Sequence, residues 1–209
     1  MHTIFEKNIF INCPFDTNYI ELLRPMLFTL VYLGYNPRIA LENMDVSIPR
    51  LDKILTLIRD SKYSVHDLSR IKSTKKNEFA RLNMPFELGI DFGSKEFSKK
   101  HNEKKFLVLS DEDHGYKKAL SDLSGFDAQN HKNDSIEVVR ILRDWIYEIS
   151  ETPKLIQALA LWYKFQNEFL PFLIAKKMDA GYIKDIDLQS IYPIKEFIQT
   201  INEWKALNH

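Results

Sequence analysis

The chain has 209 residues, enough for one sizeable core or for one domain with an appendage. Its 29 basic and 29 acidic side chains give a formal net charge of zero, which argues against a general electrostatic grip on nucleic acid. Cys13 is the single cysteine, which excludes an intrachain disulfide and a multi-cysteine zinc site. Because the sequence has neither a long apolar run nor a signal-peptide core, we expect a cytoplasmic protein without a membrane partner.

Short apolar runs alternate with helical stripes over the first 150 residues. The predicted strands span residues 8–13, 35–41, 62–68 and 105–110, with a short one at 126–128. The predicted helices span residues 18–33, 51–58, 85–93, 116–123 and 134–149. Strands that alternate with helices favour a parallel sheet with right-handed crossovers. The sequence therefore predicts an α/β fold of the flavodoxin-like, three-layer kind.

The alternation stops near residue 150, and the remainder is helical in pattern. We therefore predict an α/β domain over residues 1–150 and a helical C-terminal extension over residues 151–209. The last predicted helix carries an apolar stripe that is too apolar to lie in water. The stripe consists of Ile194, Ile198, Ile201 and Trp204. It could pack on its own domain or on a second subunit, and we predict a homo-oligomer.

The most informative residue is Glu87, a lone carboxylate in the run Asn-Met-Pro-Phe-Glu-Leu-Gly-Ile that opens a predicted helix. A crossover helix begins at the edge of a parallel sheet where α/β folds bind ligands. A carboxylate there can hold sugar hydroxyls, and it can stabilise or attack an oxocarbenium-like centre. The alternative is a solvated glutamate at a helix start.

Other candidates follow neighbouring predicted strands. Asp67 and Ser69 end the third strand, where they could hold a ribose hydroxyl or cap the next loop. Arg50 could bind a phosphate or form a surface ion pair. The turn that begins at Asn12 could offer backbone N–H groups to a phosphate, or be an ordinary loop. It has no glycine fingerprint, so it is neither a Walker loop nor a dinucleotide-binding turn. The six histidines show no metal spacing, and we predict no metal.

Three short motifs follow one another along the chain: Asn-Cys-Pro-Phe-Asp after the first strand, His-Asp-Leu-Ser at the end of the third, and Asn-Met-Pro-Phe-Glu-Leu-Gly at the next helix. Together, these motifs resemble those of the nucleoside 2-deoxyribosyltransferase and TIR-like superfamily. The chain is also similar to a bacterial branch with the first and last phrases. The resemblance covers residues 8–149. It implies that Glu87 is catalytic and that Phe15, Asp16 and Asp67 belong to the site.

The resemblance implies an enzyme that splits the nicotinamide–ribose bond of NAD, as an antiphage-defence effector or a producer of a signal. NAD is then a substrate, and no cofactor is expected. The substrate-binding residues are predicted to be Asn12, Phe15, Asp16, Arg50, Asp67, Ser69 and Asn83. One alternative is a deoxyribosyltransferase or nucleoside hydrolase with Glu87 as nucleophile. Another is a non-catalytic module that binds a nucleotide or a protein.

Overall fold

The three-dimensional structure is a computed structural model. It describes residues 4–71, 82–112, 116–117, 120–123, 125–150, 154–181, 191 and 193–208.

The centre of the fold is a five-stranded sheet in which every neighbouring pair of strands is parallel. The strands are β1 (Asn8–Asn12), β2 (Asn36–Ile39), β3 (Tyr63–Asp67), β4 (Lys105–Ser110) and β5 (Gln129–Asn130). Their spatial order is β2-β1-β3-β4-β5. This order confirms the predicted α/β class with a flavodoxin-like parallel sheet. Strands β1 and β3 are buried along their whole length, as parallel strands usually are.

The helices agree with the predicted alternation and with a helical C-terminal extension, except that the helix predicted at 116–123 ends in a separate 3-10 turn, Ser121–Leu123. They are α1 (Ile20–Tyr32), α2 (Arg50–Arg59), α3 (Asn83–Phe97), α4 (Ser135–Ile149), α5 (Ala158–Tyr163), α6 (Leu170–Asp179) and α7 (Ile194–Leu207). A π-helical segment, Lys164–Phe169, joins α5 to α6. Short 3-10 turns occupy Ile4–Lys7, Thr17–Tyr19, Ala40–Glu42 and Ser121–Leu123.

Helix α3 differs most from its predicted span of 85–93. It begins at Asn83, because the backbone N–H of Phe86 already donates to the carbonyl of Leu82 at 3.1 Å, and it continues to Phe97. Pro85 is therefore the third helical residue, and Glu87 lies beyond the first turn, where the helix dipole acts weakly.

The glycines of α3 do not serve a close approach to the sheet, because a Cβ at Gly89 would meet open space and one at Gly93 would touch only Phe97 of the same helix. The short strand expected at 126–128 forms instead at Gln129–Asn130, beside the end of β4.

The chain divides into two compact units that do not follow chain order. The first unit, Met1–Asp16 with Tyr35–Asn133, contains the sheet, α2 and α3. One of its apolar clusters joins β1 to α2 through Phe10, Ile54, Leu57 and Ile58. Another joins α3 to the end of β4 through Met84, Leu88 and Val108. These clusters fix α3 on the sheet and so determine where Glu87 lies.

The second unit is Thr17–Gly34 with Asp134–His209, and the regular structure of its described residues is helical. Phe28 of α1 is fully buried, and its ring centroid lies 5.4 Å from that of Trp204 and 5.2 Å from that of Phe169. The apolar stripe of α7 therefore packs on α1 of the same chain. The predicted boundary at residue 150 and the predicted homo-oligomer remain predictions. Among the described residues, no helix is long and apolar enough to span a bilayer.

Candidate functional site

The candidate site is organised by two adjacent parallel strands whose carboxyl ends lie side by side. In the register of the sheet, Asn12 at the end of β1 pairs with His66 of β3, and Asp67 pairs with Leu109 of β4. Residues that follow these strands therefore share one edge of the sheet, the edge at which open α/β folds bind ligands.

Glu87 is a buried carboxylate that has one half-exposed cation as an ion-pair partner. Its exposure is 5%, and its Oε1 lies 3.6 Å from Nη2 of Arg50, whose side chain is 51% exposed. Burial raises the pKa of Glu87, while the charge of Arg50 opposes the rise, and the net result lies above the ordinary value. The guanidinium of Arg50 also lies 5.7 Å from the centre of the Phe15 ring. Arg50 thus links Phe15 to Glu87.

Asn12 fixes the start of the helix that carries Glu87. Its Nδ2 donates to the carbonyl oxygen of Met84 at 2.8 Å and contacts Nδ1 of His66 at 3.0 Å. The side chain is buried, so these bonds form in a poorly solvated place where they strongly restrict geometry. Asn12 thus holds α3 against β3, and its predicted role in binding substrate remains a prediction.

A buried polar network continues from His66 beneath α3. His66 Nε2 lies 3.1 Å from Oδ2 of Asp91, and Ser64 donates a short hydrogen bond to the same oxygen. Lys104 places its Nζ 3.1 Å from Oδ1 of Asp91 and donates to the carbonyl oxygens of Ile58 and Ser61. Burial raises the pKa of Asp91, but these hydrogen bonds and the charge of Lys104 outweigh it, so the pKa lies below its usual value.

Asp67 and Ser69 lie in a second buried cluster, around His131. Asp67 Oδ2 and Ser69 Oγ each lie 3.1 Å from Nε2 of His131, and Ser69 N–H donates to Asp67 Oδ1 at 2.8 Å. The N–H of Asn133 donates to His131 Nδ1, which leaves the ring proton on Nε2.

This cluster has the members of a catalytic triad but not its geometry. In a triad the serine and the carboxylate bind opposite ring nitrogens, whereas here both contact Nε2. All three side chains are also completely buried. The arrangement therefore anchors the end of β3 to the segment after β5. The substrate-binding roles of Asp67 and Ser69 remain predictions.

Arg70 joins the ends of two strands and was not singled out from the sequence. Its Nε lies 3.6 Å from Asp16 Oδ2, and its Nη1 lies 3.4 Å from Asp111 Oδ2. Its backbone φ is +70°, a left-handed conformation that is uncommon outside glycine and clusters at functional sites. Arg70 is thus a second cation at this edge, and it determines the environment of the predicted residue Asp16.

Two other residues complete the description. Cys13 is buried, and burial raises the pKa of its thiol well above the usual range, with further raising contributions from Asp67, Glu87 and Asp16. The thiol is therefore protonated at neutral pH and unsuited to act as a nucleophile. Asn83 is exposed as the first residue of α3.

The sequence pointed to Glu87 and Arg50 separately but not to their ion pair. His131, Arg70 and Asp91 were missed because each meets its partners only across the fold. His131, for example, lies 62 residues from Ser69. The signal available for Arg70 was its position directly after His-Asp-Leu-Ser.

Comparison of the chain with protein-family models, with curated proteins and with solved structures gives no match. In the described part of the chain, no three His, Cys, Asp or Glu side chains are grouped so as to hold a metal ion.

Proposed function

We propose that the protein is an N-glycosidase that cleaves the nicotinamide–ribose bond of NAD, with Glu87 as its catalytic carboxylate. The observation that carries the proposal is the state of Glu87. It is a 5% exposed carboxylate at the ligand-binding edge of a parallel sheet, with a half-exposed arginine 3.6 Å away. A charge held in so poorly solvated a place interacts strongly with a cationic transition state.

NAD suits a site built around one carboxylate. Its nicotinamide is already cationic, so the bond to ribose breaks without prior protonation of the leaving group, whereas an ordinary nucleoside base needs a general acid. The carboxylate of Asp67, a candidate for that second role, is engaged by Ser69 and His131. Because Asp67 is engaged in this way and Glu87 acts alone, the site favours a substrate with a good leaving group.

Two arginines support a substrate that carries phosphates. Arg50 is half-exposed beside Phe15, and Arg70 is about one-third exposed beside Asp16. A guanidinium presents a planar fork of donors that matches phosphate oxygens. When a phosphate engages Arg50, that guanidinium shifts from Glu87, and the carboxylate becomes free to face the ribose.

The reaction balances with water as acceptor. The C1′–N bond of the ribose breaks, and its electron pair neutralises the nicotinamide ring. A water oxygen bonds to C1′ opposite the leaving group, and its proton passes to Glu87 and then to solvent. The products are nicotinamide, ADP-ribose and a proton, and a ribose hydroxyl or adenine nitrogen as acceptor gives a cyclised product instead. In a bacterial cell such an enzyme would serve antiphage defence or produce a signal.

The test is incubation of the full chain with NAD, with 2′-deoxynucleosides and with ribonucleosides, followed by chromatography of the released base. We expect nicotinamide from NAD and no base from the nucleosides. Glu96→Gln is the matched control for Glu87→Gln, because Glu96 is exposed on the same helix as Glu87. Release of base from deoxynucleosides alone would replace the proposal by a deoxyribosyltransferase or nucleoside hydrolase. Calorimetric binding of NAD without turnover would point to a non-catalytic module.

We also propose that the protein works in the cytoplasm as a homo-oligomer. The support is a group of exposed apolar side chains near Arg50 and Glu87 in the sequence, including Val46 at 97% and Phe86 at 58% exposure. Light scattering over a concentration series tests this, and a strictly monomeric mass with and without NAD would contradict it.

A further inference from the structure

His66 is a buried titratable side chain that has no part in the proposed chemistry. It is the fourth residue of β3, it pairs in register with Asn12 of β1, and it is fully buried. Its ring meets two aromatic rings nearly at right angles, with centroids 5.8 Å from that of Phe10 and 6.0 Å from that of Phe106. These contacts hold the plane of the imidazole, so each of its two nitrogen atoms faces a fixed partner.

The contacts of Asn12 determine the state of the first of these nitrogen atoms. One atom, Nδ2 of Asn12, lies 2.8 Å from the carbonyl oxygen of Met84 and 3.0 Å from Nδ1 of His66. A carbonyl oxygen only accepts hydrogen bonds, so the part of the amide that faces it is the NH2 group. The second N–H of this group needs an acceptor too, and Nδ1 is an acceptor only when it carries no proton. The two contacts together therefore require an unprotonated Nδ1.

The other nitrogen of His66 faces a carboxylate. Nε2 lies 3.1 Å from Oδ2 of Asp91. The ammonium of Lys104, 3.1 Å from the second oxygen of Asp91, keeps this group ionised, so Oδ2 accepts a hydrogen bond from Nε2. The direction of donation is thus the same at both ends of the ring: Asn12 donates to His66, and His66 donates to Asp91.

We propose that His66 is a positioning residue for Glu87, and that it acts as a neutral imidazole, protonated on Nε2, which orients the amide of Asn12. Met84 is the second residue of α3 and Glu87 is the fifth, so the carbonyl that Asn12 holds lies within one helical turn of the carboxylate. A proton on Nδ1 would point at the NH2 group of Asn12, and the amide would lose its hold on Met84. The kinetic consequence of this inference rests on the proposed function of Glu87.

Two matched substitutions separate the two ends of the ring. The side-chain oxygen of asparagine can take the place of Nδ1, and the side-chain NH2 of glutamine can take the place of Nε2. His66→Asn therefore keeps the acceptor for Asn12, whereas His66→Gln keeps the donor to Asp91. Both variants lose the same aromatic contacts, so the difference between them reports which hydrogen bond matters.

The first readout is NAD cleavage by the full chain. We expect kcat of His66→Gln to fall roughly 10–100-fold with little change in KM, because a small displacement of a catalytic group can cost about 10²-fold. The kcat of His66→Asn should be at least about tenfold above that of His66→Gln, a rescue that a merely structural role would not produce. Equal losses in the two variants, or the larger loss in His66→Asn, would overturn the proposal.

The second readout needs no activity, so it distinguishes a failure of this inference from a failure of the proposed function. The backbone N–H of Phe86 donates to the carbonyl of Leu82 at the start of α3. Its hydrogen exchange should be at least about tenfold faster in His66→Gln than in His66→Asn, because only the first variant releases Asn12. Equal exchange rates in the two variants would overturn the proposal whether or not NAD is cleaved.

The third readout needs no variant. Nitrogen NMR of the full wild-type chain with labelled histidine reports the protonation of each ring, and the contacts with Phe10 and Phe106 identify His66. At pH 7 we expect its proton on Nε2 and none on Nδ1. A proton on Nδ1, alone or together with one on Nε2, would overturn the proposal even if both variants failed to fold.

Discussion

Two carboxylates one turn apart on α3 have opposite surroundings. Asp91 is fully buried and engages His66, Ser64 and Lys104, and its pKa is held below the usual value. Glu87, four residues earlier, is nearly as buried, but its ion-pair partner is the half-exposed Arg50 at 3.6 Å, and its pKa is raised. The difference separates a carboxylate whose burial is offset by its partners from one whose burial is offset only in part.

The physical basis of the difference is compensation of the desolvation cost. A buried charge is tolerated when hydrogen bonds and an opposite charge offset the loss of water. The network around Asp91 provides both. The surroundings of Glu87 provide less, which is typical of functional groups that keep interactions for the substrate.

The largest expected effect is on stability, from Asp91→Asn. The variant leaves the Lys104 ammonium buried without its counter-charge, and we expect a loss of about 3–5 kcal/mol in the free energy of unfolding. Urea denaturation at pH 7 measures it. The double variant with Lys104→Met should recover part of the loss. A folded single variant whose stability stays within about 0.5 kcal/mol of wild type, the range of an ordinary surface change, would show that Asp91 does not stabilise the fold as described.

The same comparison predicts how the stability of the protein changes at acid pH. Because folding lowers the pKa of Asp91, its stabilisation is fully present above the unfolded pKa of about 3.9 and is lost as pH falls through the folded value. Wild type should therefore lose part of its stability advantage over Asp91→Asn below about pH 4. An advantage that stays constant down to acid pH would show that the charge of Asp91 does not matter.

The next effect comes from Asn12, which holds the first turn of α3. Asn12→Ala removes two buried polar contacts, the bond to the Met84 carbonyl and the contact with Nδ1 of His66, so we expect a loss of about 1–3 kcal/mol in stability. Because Glu87 is then less firmly held, kcat for NAD should fall more than KM rises. A variant that is destabilised but keeps its kcat would limit Asn12 to a structural role.

The smallest expected effect on stability is a gain, and it comes from Glu87→Gln. Glu87→Gln removes a charge that the fold disfavours, so it should stabilise the protein at pH 7 by roughly 0.5–2 kcal/mol, the range common to stabilising single changes. Since folding raises the pKa of Glu87, this gain should shrink as pH falls through the folded value and be absent below the unfolded pKa of about 4.3, where wild type is neutral too. Thermal melts at pH 7 and at acid pH check both points. Destabilisation at pH 7 would mean that Glu87 is as well compensated as Asp91.

The fold could be predicted largely because its signals are local. Apolar runs such as Asn8–Asn12 and Lys105–Ser110 stand out against the intervening helical stripes, and alternation implies parallel pairing. The start of α3 was misplaced because Pro85 is acceptable at the first helical position and at the third, and the sequence alone does not distinguish them. The exposed position of Gly89 likewise depends on how the helix is rotated on the sheet.

The site could be predicted less completely, since chemistry at a site depends on partners that are distant in sequence. Glu87 was recognisable as a lone carboxylate among apolar residues. Its partner Arg50 is separated from it by a whole β-strand, and nothing local relates the two. Asp67 was recognised, but its burial against His131 requires β5 to follow β4 in space, which only the completed sheet determines.

The most direct test measures the NAD cleavage rate and the melting temperature of Glu87→Gln in the same preparation, beside wild type and Glu96→Gln. If the charge of Glu87 is reserved for the transition state, the variant loses activity by about 10²–10³-fold or more and melts at or above the wild-type temperature. Full activity in the folded Glu87→Gln variant, or loss of activity together with loss of the fold, would contradict the account.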